Sequence, residues 1–139
     1  MKIFTSNSQK IGKLGEDISC IYLKKHGFTI RDRNYTQKWG EIDIVAEKDN
    51  KLYFIEVKSV SRSLNKNDEY KNQTQETPNY FRPEENMHPW KMKRLARTIE
   101  TYLIHNRIGN ISWQFDVILV FLDTKERKAK VEVLKNIIL

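Results

Sequence analysis

Two acidic residues and one lysine are spaced so that they meet across a predicted hairpin. The strand-like segments 41–46 and 52–58 flank the polar turn 48–51. Asp49 and Asn50 at the centre of that turn tolerate the positive φ of a tight hairpin. If they are the two turn residues, the numbers of directly opposed residues sum to 99.

This register places Asp43 opposite Glu56, and Glu41 opposite Lys58. Opposed residues lie about 4.5–5.5 Å apart, so two carboxylates there repel by about 3 kcal/mol at an effective dielectric constant near 20. A divalent cation offsets that repulsion, and Mg²⁺ accepts both carboxylate and phosphate oxygens. Lys58 follows on the same face, where its ammonium group can orient or deprotonate the attacking water and stabilise transition-state charge. These groups suit phosphodiester hydrolysis.

The same pattern also fits a hairpin with no catalytic role. In that interpretation Glu41 pairs with Lys58 and the acidic side chains are solvated. Because strand side chains alternate between faces, the hairpin is expected to bury one apolar face and to gather the charges on the other. The predicted apolar face consists of Ile42, Ile44, Ala46, Tyr53, Ile55 and Val57.

The elements that position the hairpin follow from apolar periodicity. Spacings of three and four residues predict a helix over residues 9–26, ended by Gly27, and Phe28–Tyr35 alternates like a partly exposed strand. Pro89 begins a second predicted helix that Gly109 ends. The apolar run 113–122 predicts a strand covered on both faces, and residues 129–139 a last strand.

The predicted fold is therefore α/β, in the order α-β-β-β-α-β-β, within one domain spanning residues 1–139. The segment 59–88 is too polar to bury and is predicted to be a mobile loop. Within it, Tyr70, Tyr80 and Phe81 alternate with Lys66, Lys71 and Arg82, a composition that suits either stacking on unpaired bases or plain disorder.

Composition favours a polyanionic partner. The chain has 25 Lys and Arg against 18 Asp and Glu, a net charge of +7, which attracts phosphates. One cysteine, Cys20, excludes an internal disulfide and suits the reducing cytoplasm. The widely separated histidines give no zinc spacing, and no apolar run is long enough for a membrane span.

Five segments in sequence order form a recognisable set: Gly12–Glu16, Gly40–Asp43, Phe54–Lys58, Lys91–Leu95 and Phe115–Val117. Together they resemble the YraN family of predicted endonucleases, within the PD-(D/E)xK restriction-endonuclease-like superfamily. The family is itself similar to archaeal Holliday-junction resolvases.

The resemblance implies a mixed central sheet flanked by helices, with Asp43 and Glu56 as ligands of Mg²⁺ or Mn²⁺ and Lys58 as the catalytic lysine. It adds Glu16 as a further catalytic and metal-binding carboxylate, although an acid near a helix start is also favoured by the helix dipole. Glu41 takes the place of the motif's proline and is an auxiliary residue that ligates, hydrogen-bonds or pairs with Lys58. The resemblance to resolvases also implies a homodimer.

Two features bear on nucleic-acid binding. The cluster Lys91, Lys93, Arg94 and Arg97 on the second predicted helix forms either a phosphate track or an ordinary solvated face. Arg62 lies further from Lys58 than the family's usual arginine, and the segment between Lys58 and Lys91 is longer than the family's usual connection.

The expected function is a metal-dependent endonuclease that hydrolyses DNA, including branched or single-stranded DNA. The alternatives are a non-catalytic nucleic-acid-binding module with the same fold and an interaction factor that works through the long polar loop.

Overall fold

A five-stranded mixed sheet lies between two helices in the computed structural model, which describes residues 7–64 and 88–139. The predicted α/β class and element order are confirmed. In chain order the elements are α1 (Asn7–Lys25), β1 (Thr29–Gln37), β2 (Gly40–Lys48), β3 (Lys51–Ser61), α2 (Pro89–His105), β4 (Ser112–Asp123) and β5 (Lys128–Leu134).

The strands lie side by side in sequence order, from β1 to β5. Among the strands that the structure describes, only β3 and β4 run parallel to each other, and the chain between them contains α2, as a parallel connection requires. The other three neighbouring pairs are antiparallel. The parallel pair therefore consists of the central strand and the neighbour that separates it from the edge strand β5.

Each face of the sheet has its own core. Leu95, Ile99 and Tyr102 of α2 pack on one face, and Cys20 and Leu23 of α1 pack on the other. Residues 115–123 of β4 are buried without interruption. A strand covered on both faces has no polar side, which explains the apolar run from 117 to 122 and confirms the prediction of a covered strand.

The β2–β3 turn has the predicted geometry. Asp49 and Asn50 both adopt positive φ, 51° and 59°, as a two-residue hairpin turn of the primed type requires. Pairing from Lys48 with Lys51 to Ile44 with Ile55 keeps the predicted sum of 99. Turn chemistry alone was sufficient to define this register.

Side-chain alternation along β2 breaks at Asp43, so the prediction that Ile42 shares a face with Ile44 is wrong. Ile42 packs in the core under α2, whereas Ile44 packs in the core under α1. On the neighbouring strand, Asn34 has a φ of 53°, and the register runs from Arg33 with Ile44 to Tyr35 with Ile42. A local left-handed residue reorients the strand there.

The rest of the predicted apolar face is confirmed, because Ala46, Tyr53, Ile55 and Val57 share the core under α1 with Ile44. The predicted charged face is wrong, because Val45, Leu52 and Phe54 on that face pack in the core under α2.

Strand ends also differ from the predicted ones. β3 continues through Ser61, where it pairs with Leu122, so residues 59–61 belong to the sheet rather than to a loop. β5 ends at Leu134, short of the predicted 139.

The aromatic and basic residues predicted between 66 and 82 lie outside the described residues. In the part of the chain that the structure describes, no helix has the length and apolar character needed to cross a membrane.

Candidate functional site

The predicted acidic site lies where β2 and β3 separate, a place we call the fork. The ladder between these strands ends at Ile44 with Ile55. Beyond it, Glu41 pairs with Thr36 of β1, and Glu56 pairs with Val117 of β4. Asp43 of β2 and Glu56 of β3 are therefore the first residues beyond the end of the β2–β3 ladder.

Asp43 closes the fork with its side chain. Its Oδ2 accepts a hydrogen bond from the backbone N–H of Val57 at 2.7 Å. The pKa of Asp43 is raised to about 6, mainly by burial and to a smaller extent by the nearby carboxylates of Glu56, Glu16 and Glu41, against the lowering effect of the Val57 N–H. Asp43 is thus a carboxyl group whose surroundings resist its ionisation.

Glu56 offers one engaged and one unengaged oxygen. Its Oε1 lies 3.7 Å from Nζ of Lys58 and 3.5 Å from Nζ of Lys91. Its Oε2 is buried and has no hydrogen-bond partner. A buried oxygen without a partner is costly unless something binds it, so this atom marks a position where a cation or a donor fits.

Lys58 lies beside Glu56, as its predicted position two residues further along one strand face requires. About a third of its side chain, 35%, is exposed, so the ammonium group can reach an incoming ligand. Glu41 is exposed, and the carboxylate that pairs with Lys58 is Glu56. This is not the Glu41–Lys58 pairing of the plain hairpin interpretation.

A glycine brings α1 close enough to place Glu16 near the fork. A Cβ at Gly15 would overlap Oγ of Ser59 on β3, so only glycine allows this approach. Glu16 follows directly and contributes to the raised pKa of Asp43. Its Oε1 lies 3.3 Å from Nη2 of Arg33, which also binds Asp17 at 2.8 Å. Glu16 is therefore near the site but engaged by an arginine.

A second glycine admits α2 from the opposite face. A Cβ at Gly40 would collide with Oγ1 of Thr98, which is fully buried. The first turn of α2 thereby reaches the fork, and Lys91 meets Glu56 there. Both helices thus approach the sheet at glycines that belong to the motif segments.

The carboxylates at the fork fit a hard divalent cation. Asp43 resists ionisation without a counter-charge, and Glu56 holds a buried oxygen with no partner. Among residues 7–64 and 88–139, no three His, Cys, Asp or Glu side chains form a ready metal-binding group. Two carboxylates suffice for Mg²⁺, which usually completes its shell with waters and substrate phosphates.

The basic residues of α2 divide into two groups. Lys91 and Arg94 line a cleft together with Trp39, Glu41, Glu56 and Trp90. Arg97 stacks over Trp39, with Cζ 3.9 Å from the ring centroid, and Lys93 is exposed. The predicted phosphate track is therefore partly an ion-pairing and stacking surface beside Glu56.

Arg62 is not brought to the fork. It lies four residues beyond Lys58, roughly 13 Å along an extended strand. Its guanidinium group covers the Phe121 ring, with 4.6 Å from Cζ to the centroid, and lines a separate depression with Asp123 and Glu126.

Trp39 and Trp90 are cleft residues that the sequence analysis did not single out. Each stands next to a residue that it did use, Trp39 before Gly40 and Trp90 after Pro89. Large aromatic residues in polar surroundings at the ends of elements were the available signal. The role of the Val57 N–H left no such signal, because any residue but proline supplies it.

Comparison with known proteins identifies the family. The model of the family described as "Uncharacterised protein family UPF0102" matches residues 15–120. A UPF0102 protein of Campylobacter jejuni is 38% identical over 109 residues, covering 78% of this chain and 81% of the relative. A UPF0102 protein of Helicobacter hepaticus is 32% identical over 133 residues, covering 96% of this chain and 98% of the relative.

A UPF0102 protein of Alkaliphilus oremlandii is 34% identical over 131 residues, covering 93% of this chain and 97% of the relative. The matched residues 15–120 contain Glu16, the fork and the helix that carries Lys91. The chain belongs to the UPF0102 family.

Proposed function

We propose that this protein is a metal-dependent endonuclease that hydrolyses phosphodiester bonds in DNA. One observation carries the proposal: the partnerless, buried Oε2 of Glu56 lies at the fork with Asp43 and beside Lys58. Asp43 and Glu56 would hold Mg²⁺ or Mn²⁺. The resemblance of this hairpin to the PD-(D/E)xK superfamily supports the same assignment.

The bound metal would supply Lewis-acid polarisation of the scissile phosphate and favour the ionised form of Asp43. The Val57 N–H holds the Asp43 carboxylate in place, with 2.7 Å between N and Oδ2. Glu16 is a further carboxylate that becomes available only if it leaves Arg33. The chain would therefore contribute Asp43 and Glu56 as metal ligands, and Glu16 as a third carboxylate once it is released from Arg33.

Lys58 acts on the substrate. Its ammonium group is partly exposed and lies on the same strand face as Glu56. From there it donates hydrogen bonds to phosphate oxygens and offsets the negative charge that develops on them in the transition state. A positioned donor of this kind typically contributes about 10²–10³-fold in rate.

Cleavage assays test the proposal. The wild-type chain is incubated with linear, flapped and four-way DNA in Mg²⁺, in Mn²⁺ and in EDTA. We expect metal-dependent products, and a loss of about 100-fold or more in Asp43→Asn and Lys58→Ala. Lys93→Ala removes an exposed lysine of α2 and serves as the matched control. Equal cleavage by all three variants would overturn the site assignment.

A non-catalytic nucleic-acid-binding module is the second candidate. Two ammonium groups, those of Lys58 and Lys91, already lie within 4 Å of Glu56 Oε1 and neutralise part of its charge without a metal. Binding of the same DNA substrates by the wild type in a gel-shift experiment, with no cleavage in either metal, would support this module and exclude the hydrolase.

A further inference from the structure

We propose that two tryptophans and two arginines beside the fork hold unpaired nucleotides of DNA, with one base stacked on Trp90. These four residues, Trp39, Trp90, Arg94 and Arg97, are called the stacking platform. The inference rests on the proposed function in so far as it takes DNA to be the ligand, and it names the form of DNA that the site accepts.

The platform is held together by its arginines. The Arg94 Nε donates a 2.8 Å hydrogen bond to the backbone oxygen of Trp39, and its Cζ lies 5.6 Å from the Trp90 ring centroid. Arg97 stacks on Trp39 with Cζ 3.9 Å from the ring centroid. Arg94 thus links the main chain of Trp39 to the Trp90 indole, and Arg97 covers a face of the Trp39 ring.

Trp90 remains open to a ligand. Its relative exposure is 55%, although an indole is one of the side chains that gain most from burial. Trp39 supplies a second unsatisfied group, since its Nε1 is buried without a hydrogen-bond partner. Trp90 and Trp39 both line the same cleft.

The charges around this cleft select a phosphate-bearing ligand. Lys91, Arg94 and Arg97 are spaced three residues apart in the first half of α2, and cations placed this way hold backbone phosphates. Aromatic rings among cations are the usual means of binding single-stranded nucleic acid without sequence preference, because every base has a π-face.

Stacking on Trp90 requires a base that is not stacked within a duplex. Base faces in a double helix are covered by their neighbours, whereas bases in single strands are free to stack on aromatic side chains. The cleft also contains Glu56 and Lys91, which lie 3.5 Å apart between Glu56 Oε1 and Lys91 Nζ. A nucleotide held by Trp90 is therefore adjacent to the fork.

Binding measurements on the full chain in EDTA test the platform without any cleavage. The probes are fluorescent single-stranded oligo(dT) and a duplex, each of about 15 nucleotides, and oligo(U) of equal length. The variants are Trp90→Ala and Trp90→Phe. Trp113→Phe is the control, because Trp113 is also partly exposed but packs on Phe54, 5.7 Å between ring centroids, outside the cleft.

We expect oligo(dT) to bind about fivefold or more tightly than the duplex, and Trp90→Ala to weaken oligo(dT) binding by a similar factor. Trp90→Phe should retain most of the affinity, and Trp113→Phe should bind like wild type. Wild-type affinity in Trp90→Ala, or equal binding of duplex and oligo(dT), would overturn the platform. Tighter binding of oligo(U) would overturn its assignment to DNA.

The two proposals fail separately. If cleavage depends on Asp43 while Trp90→Ala binds oligo(dT) normally, the platform is wrong and the hydrolase stands. If Trp90-dependent binding occurs without cleavage in any metal, the platform stands and the hydrolase is wrong.

Discussion

The carboxylate of Asp43 accepts a hydrogen bond from the backbone N–H of Val57, with 2.7 Å between Oδ2 and N, at the point where their strands separate. A side chain there replaces the main-chain acceptor that a continued ladder would provide. The same residue is close enough to Glu16, Glu41 and Glu56 for each to raise its pKa. Asp43 thus closes the fork, and both burial and neighbouring carboxylates oppose its ionisation.

Because the ionised carboxylate of Asp43 is disfavoured, Asp43→Asn is predicted to stabilise the metal-free protein at neutral pH. The pKa of Asp43 is raised from 3.8 to about 6, so the folded state binds this proton more tightly than the unfolded state. Protonation of Asp43 therefore contributes fully to the free energy of unfolding below pH 3.8, and this contribution is lost as the pH rises through about 6. Asparagine avoids this loss, which amounts to at most about 3 kcal/mol.

Urea unfolding in EDTA between pH 4 and 8 measures this effect. The variant should match wild type near pH 4 and exceed its free energy of unfolding at pH 8, because the amide oxygen still accepts the Val57 N–H. A constant difference across this range would show that ionisation of Asp43 has no part in it.

The sequence correctly predicted the strand register that leads to this acidic site, but not the separation of the two strands at the fork. The Asp-Asn turn fixed the register from Lys48 to Ile44, because positive φ at both turn residues leaves one hairpin geometry. The strands separate at Asp43 where Asn34 of the neighbouring strand adopts a positive φ and where helices cover both faces of the sheet. These features belong to the tertiary structure, and the alternation of side chains along a strand does not reveal them.

Magnesium is expected to stabilise the wild type at pH 7.5 and not the Glu56→Gln variant. At ten times the dissociation constant, a ligand of the folded state adds about 1.4 kcal/mol, or roughly 4 °C in Tm for a domain of this size. The shift should shrink at pH 5, since protons compete for Asp43. Thermal unfolding with Mg²⁺ and with equal ionic strength of NaCl measures it.

Equal shifts in wild type and Glu56→Gln would place the bound Mg²⁺ elsewhere on the chain. A shift of similar size with NaCl would attribute the effect to ionic strength.

Lys91→Ala is expected to tighten Mg²⁺ binding. The Lys91 ammonium lies 3.5 Å from Glu56 Oε1 and must give way to a cation at that carboxylate. About a third of its side chain is exposed, 36%, so solvent reduces the effect to a few-fold change in Kd. Lys93→Ala, at an exposed position of the same helix, is the control.

Calorimetric titration with Mg²⁺ compares the two lysine variants. Weaker Mg²⁺ binding by Lys91→Ala would mean that Lys91 organises Glu56 rather than competing for it.

The placement of the helices was only partly predictable. Apolar spacing located α1 and α2 to within a few residues, since each has a single buried stripe. It did not show which glycines permit close approach, because Gly12 and Gly15 look alike in the sequence. Only the packing of α1 on β3 separates them.

Gly12→Ala and Gly15→Ala are therefore predicted to change stability in opposite directions. Nothing lies within 4 Å of a Cβ at Gly12, so alanine there should add about 0.5–1 kcal/mol through helix propensity. At Gly15 the new methyl group overlaps Oγ of Ser59 and lies 3.0 Å from its Cβ, so it should cost about 1–3 kcal/mol by overpacking. Chemical denaturation of both variants measures the difference.

The double variant Gly15→Ala with Ser59→Ala identifies the cause. Ser59 Oγ is buried without a hydrogen-bond partner, so its removal sacrifices no bond and relieves the overlap at Gly15. Part of the lost stability should return, while Ser59→Ala alone changes little. If the double variant is no more stable than Gly15→Ala, the close approach of α1 to β3 is not what glycine provides, and Glu16 is positioned by its contact with Arg33 instead.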